Sequence, residues 1–166
     1  RQIVRMARSR YDGRLRPGLD SGPGGNPYNE LECGKFYARA MSSWSLLIAS
    51  QGQVLEGPKG LLGFKPRWQP EDHRSFYTAP EGWGLFVQRR EGKQQTDRIE
   101  VRHGRLRVKE LVFELPPGAA NAAATVTIGG KPVNAAPKIT GTEIRLTLDS
   151  DCIATEGDAI EVALNW

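Results

Sequence analysis

In the stretch NPYNELECGKFYARAMSSW, residues 26–44, the side chains whose types and spacing can do chemistry are Glu30, Glu32 and Arg39. At about 100° per residue, Glu32 and Arg39 nearly share one helical face. Glu30 joins Arg39 only if it sits in an extended turn leading into the helix, which the preceding Pro27 favours. A retaining glycosidase needs two carboxyls about 5–5.5 Å apart on opposite sides of the scissile bond. Two acids on one short turn do not surround a sugar in that way, so Glu30 and Glu32 do not read as a catalytic pair. Two readings remain open on residues alone. Glu32 caps the helix while Glu30 and Arg39 make ion pairs, or the three form a polar wall against a ligand.

Other chemistry-bearing residues are scattered. Tyr37 and Trp44 stand one helical repeat apart, as core packing or as an aromatic platform. Trp68, Phe76, Tyr77 and Trp83 cluster around PEDHRSFYTAPEGWG and read as packing, with Tyr77 or Trp83 as alternative ligand contacts. Arg67, Glu71, Asp72 and Arg74 read as an ion-pair group, and Glu81 as a structural hydrogen-bonding residue. His73 and His103 are isolated. Cys33 and Cys152 have no metal-ligand spacing and read as separate thiols or a single pair. GxSxG, Walker, HExxH and CxxC motifs do not occur, and no metal or cofactor is expected.

The elements that carry these groups can be read from periodicity. Asn29 as N-cap and Glu32 at N3 resemble a capping box. Leu31, Gly34, Ala38, Met41, Ser45 and Ile48 recur at helical steps, predicting a helix from about Glu30 to Gln51 with Gly52 as C′ residue. QIVRMARSRY reads as the end of an earlier helix, and GRLRPGLDSGPGGNP as a loop. Residues 53–84 read as irregular. The period then becomes two, predicting strands at 86–90, 98–104, 105–115, 124–128, 143–148 and 159–164, with GGKP as a hairpin turn. The expected domains are therefore 1–52, 53–84 and 85–166.

The chain has 166 residues and a net charge of +4, and six arginines fall within residues 1–16. One basic end does not make the broad positive face of a nucleic-acid-binding domain. No apolar run reaches the ~18 residues of a membrane span. Because the chain begins at Arg1, a targeting region is expected upstream and the compartment is not legible.

The segment at 26–44 resembles the NP-(W/Y)-NE-x-ECG-x-x-YARAM-(A/S)-S-W pattern of glycoside hydrolase family 116, which includes bacterial β-glucosidases and non-lysosomal glucosylceramidases. GPKGLLGFKPRWQPEDHRSFYTAPEGWG, residues 57–84, is similar to the segment C-terminal to that pattern in many bacterial members. The resemblance implies an α+β fragment: the last helices of an (α/α)6 catalytic barrel in residues 1–52, a capping segment, then a small antiparallel β-sandwich. It implies a retaining mechanism on β-glucoside or glucosylceramide-type substrates. The nucleophile and acid/base would lie on an upstream polypeptide, the expected partner, and this chain alone would be inactive. It places Glu30 and Arg39 on the family's sugar-contacting glutamate and arginine, with Glu32 as a cap or supporting partner. A non-catalytic carbohydrate-binding or interaction module, or part of another (α/α)6 glycosidase, are the alternatives.

Overall fold

The computed structural model describes Gln2 and residues 41–166. It divides into two units, Arg1–Leu47 and Ile48–Trp166. Helix α1 (Met41–Gln51) is the one α-helix among the described residues, and it stops where the sequence puts its C-terminus. Gly52 comes next in the left-handed region, φ 58°, where a C′ glycine carries no Cβ penalty.

The second unit is nearly all β. Its ten strands are β1 (Val54–Glu56), β2 (Leu61–Phe64), β3 (Asp72–Ala79), β4 (Gly82–Glu91), β5 (Gln94–Glu114), β6 (Ala123–Ile128), β7 (Lys131–Val133), β8 (Ala135–Thr140), β9 (Glu143–Thr155) and β10 (Ala159–Asn165). They form one mixed sheet. The expected (α/α)6 helices followed by a small antiparallel sandwich are therefore overturned: no helical-barrel portion is seen among the described residues. For the β region, the physical reason lies in β5. Residues 98–104 and 105–115 read as two strands because Gly104 looks like a break. Instead the chain passes through Gly104 at φ 75° and continues as one 21-residue strand. Its first half pairs with β4 and β10, and its second half with β9 and, in parallel, with β2. The segment 53–84, expected to be irregular, supplies β1, β2 and β3.

Both halves of the sheet share one core. Phe64 of β2 stacks on Phe86 of β4 with centroids 4.0 Å apart and planes 8° from parallel. Tyr77 meets Phe64 edge-on at 5.8 Å. Ile99, Leu111, Phe113, Leu146 and Val162 belong to the same buried cluster. Fully burying one such side chain contributes about 1.5–3 kcal/mol. The GGKP hairpin is as expected, with Gly129 and Gly130 both at positive φ between β6 and β7, the geometry of a type I′ turn.

Candidate functional site

Glu30, Glu32, Arg39, Tyr37 and Cys33 lie outside the described residues. What is described is the C-terminal end of the helix predicted to carry Glu32 and Arg39. Helix ends leave carbonyls without intrahelical partners, and the chain leaving β2 supplies them. Arg67 N donates to Ser50 O at 2.8 Å, and Lys65 N to the carbonyls of Gln51 and Gly52, each at 3.1 Å. A Cβ on Gly52 would meet Lys65 O at 2.1 Å, so glycine is required by both contact and φ.

The carboxylates of the β unit are mostly engaged by cations. Glu81, in the β3–β4 turn, accepts two bonds from Arg105 of β5, at 2.7 and 3.2 Å. Glu110 accepts from Arg145 at 2.7 Å, and Glu143 from Lys65 and Arg145. The Arg105 hydrogen bond holds Glu81 below the ordinary carboxylate range, and the Lys65 bond does the same for Glu143. Groups held ionised accept hydrogen bonds well but are poor general acids near neutrality. Arg67, Glu71 and Asp72 do not pair with one another; they pair with Glu114, Arg90 and Arg89.

Asp97 is the exception. It is 0 % exposed, and burial pushes its carboxyl up to about 7 against the opposing pull of Gln95 and Arg90. Gln95 Nε2 donates to Asp97 Oδ2 at 2.8 Å and Arg90 Nε to Gln95 Oε1 at 2.7 Å. Asp97 Oδ1 has no partner. An acid sealed in the core can hold a proton but cannot reach a substrate. His73 is also buried, its ring between Trp68 O at 2.8 Å and Ser75 Oγ at 2.9 Å. Cys152 is a free thiol.

The open face of β3, β4 and β5 is different. Strand alternation turns Phe76, Trp83, Leu85 and Val87 outward while Tyr77, Gly84 and Phe86 turn in. The β4–β5 register slips between Trp83 and Gly84, which pair with His103 and Val101. This bulge leaves Arg102 unpaired in the ladder and puts both Arg102 and His103 on the solvent side, as bulges re-aim side chains. Phe76, Trp83 and His103 then make a row, with centroids 5.9 and 6.1 Å apart. Beside it Glu100 bonds both Arg98 and Arg102, and Arg98 reaches on to Glu161. Burial pushes Glu100 up, but the two guanidiniums outweigh it and hold it below its usual range. A recess of about 190 Å³ opens among Arg98, Glu100, Arg102 and Asp158. Sequence reading misses this face because residues 53–84 show no strand period, which hides β3 and the start of β4.

A larger cleft, about 450 Å³, lies between the turn at Gly57–Lys59 and the β3–β4 turn, lined by Leu55, Pro58, Pro80, Glu81, Arg105 and Arg107. Its charges are used internally: Arg107 bonds Asp151 and the carbonyls of Gly57 and Pro58. Among the described residues, no helix is long and apolar enough to cross a membrane. No family model matches this chain, and no curated protein matches it.

Proposed function

We propose that this chain is the C-terminal part of a retaining hydrolase of β-glucosides or glucosylceramide-type substrates, and that it contributes sugar-binding side chains. The observation that carries this reading is the segment NPYNELECGKFYARAMSSW, with Glu30 and Arg39 at the spacing of the sugar-contacting pair in glycoside hydrolase family 116. Glu30 accepts hydrogen bonds from sugar hydroxyls. Arg39 donates in a planar fork that an ammonium does not reproduce. Glu32 braces the helix start or supports the other two. The nucleophile and the general acid/base lie on upstream polypeptide.

The β unit is consistent with a supporting role. Glu81, Glu100 and Glu143 are held ionised by cations, and the one carboxyl pushed toward neutrality, Asp97, is sealed away.

Charge-assisted bonds of this kind are worth about 1.5–3 kcal/mol each. If they tighten as the ring flattens toward an oxocarbenium ion, they raise kcat as well as affinity. Glu30→Ala or Arg39→Ala in the complete enzyme is expected to lower kcat/KM on an aryl β-glucoside by about 10- to 150-fold. Near-normal kcat/KM in both folded variants would refute the assignment, as would inactivity of the complete enzyme across a panel of aryl β-glycosides.

A further inference from the structure

We infer that the open face of β3, β4 and β5 is a second carbohydrate-binding surface, built for neutral β-gluco-configured oligosaccharides, with Trp83 as the stacking platform and Glu100 and Arg102 as the hydroxyl-binding groups. The inference does not rest on Glu30 or Arg39, because every residue it uses belongs to the Ile48–Trp166 unit.

Three observations point to a sugar in particular. First, Trp83 is 44 % exposed at the centre of an outward row, braced by Phe76 on one side and His103 on the other. The electron-rich face of an aromatic ring attracts partially positive groups. A glucopyranose chair carries its hydroxyls equatorially, so both of its faces present axial C–H bonds and suit such a ring. Second, the charged groups beside the platform are engaged with one another or with the backbone: Arg98 and Arg102 share Glu100, Arg98 also takes Glu161, Glu156 lies 3.1 Å from His103, and Asp158 accepts from Thr155. A strongly anionic or cationic ligand would have to break that row, whereas a neutral polyol can bond to its edges. Arg102 is half-exposed, with one of its guanidinium nitrogens bonded to Glu100, and a guanidinium has five N–H donors in a planar fork. Third, the recess among Arg98, Glu100, Arg102 and Asp158 lies on the β10 side of β5, while Trp83 lies on the β4 side. Strand spacing puts platform and recess roughly 10 Å apart, the reach of two linked pyranose rings.

The position of the bulge makes this arrangement possible. Without the extra residue, Arg102 and His103 would fall on opposite faces. Tyr77 and Gly84 hold the bulge in place. The Tyr77 ring passes beneath Gly84, and its hydroxyl donates to Glu100 O at 3.1 Å. The rigid strands pre-organise the platform, as a small-ligand site requires.

The test is calorimetric titration of the full chain with cellotetraose and, in parallel, with β-1,4-galactotetraose, whose axial C4 oxygens interrupt one face of each ring. Saturable binding of cellotetraose with a Kd of about 1 mM or tighter, and weaker binding of the galactose-configured chain, is expected. Trp83→Ala should lower affinity by the same factor in the Glu30→Ala/Arg39→Ala background as in the parent chain, which separates this surface from the proposed substrate pocket. Trp83→Ala should lose about tenfold or more in affinity, with part of it recovered in Trp83→Phe. If Trp83→Ala fails to fold, Arg102→Ala carries the same expectation. Absence of saturable cellotetraose binding up to about 20 mM overturns the inference. So does affinity unchanged by Trp83→Ala, or affinity abolished by the Glu30→Ala/Arg39→Ala pair.

Discussion

Asp97 sets a pH dependence that a single side chain can report. It lies on the inward face of β5 between Gln88 of β4 and Val162 of β10, with Gln95 and Arg90 completing its polar surroundings. Its folded-state carboxyl is raised to about 7 from an ordinary 3.8. Between those values the native state holds a proton that the unfolded chain has released. Stability from this group is therefore fully present below about pH 4 and is lost as pH rises through about 7. The displacement corresponds to about 4 kcal/mol at most. Asp97→Asn mimics the protonated acid. Relative to the parent chain, it should gain about 2–4 kcal/mol of stability at pH 8 and little at pH 4, as measured by chemical denaturation at both values. A difference that is the same at both pH values would contradict the account. Sequence reading could not find Asp97. A buried acid has the same letter as a solvated one, and the inward phase Gln95, Asp97, Ile99, Val101 begins with two polar residues. His73 was hidden in the same way.

Elements depend on close backbone approach as much as on side chains. Gly84 sits where β4 crosses the bulge of β5, and an added Cβ would fall 1.7 Å from Glu100 O. The constraint is steric, since Gly84 is not among the glycines at positive φ. Backbone cannot yield as a side-chain tip can, so Gly84→Ala should cost more than about 2 kcal/mol and lower Tm. An unchanged Tm would mean that β4 and β5 are not so closely apposed. Strands that alternate clearly, such as EIRLTL and AIEVAL, were legible, as were the Gly52 helix stop and the GGKP hairpin. Others were not. LLGF is apolar throughout because β2 is buried on both faces, and such a run has no period to read. DHRSFYTA buries a histidine and a serine on its inner face, which breaks the expected alternation. The second half of β9, DSDCIAT, carries acids on a strand that period-two reading ends at Leu148.

At the scale of the molecule, the described architecture is a mixed ten-stranded sheet organised by one long strand, rather than helices trailed by a small sandwich. The parallel β2–β5 pairing was not foreseeable from strand lengths, because the β3–β4 hairpin is interposed in sequence between its two partners. The proposed function rests instead on the residue types and spacing of the segment at 26–44. Its central claim is that Glu30 and Arg39 act on one pyranose ring. Groups in one hydrogen-bond network couple by about 0.5–3 kcal/mol, whereas independent sites add to within about 0.5. The most direct measurement is a double-mutant cycle: kcat/KM of the complete enzyme on an aryl β-glucoside for Glu30→Ala, Arg39→Ala and the pair. A coupling of about 1 kcal/mol or more is the predicted result. Strict additivity, or single variants with undiminished kcat/KM, would contradict the claim.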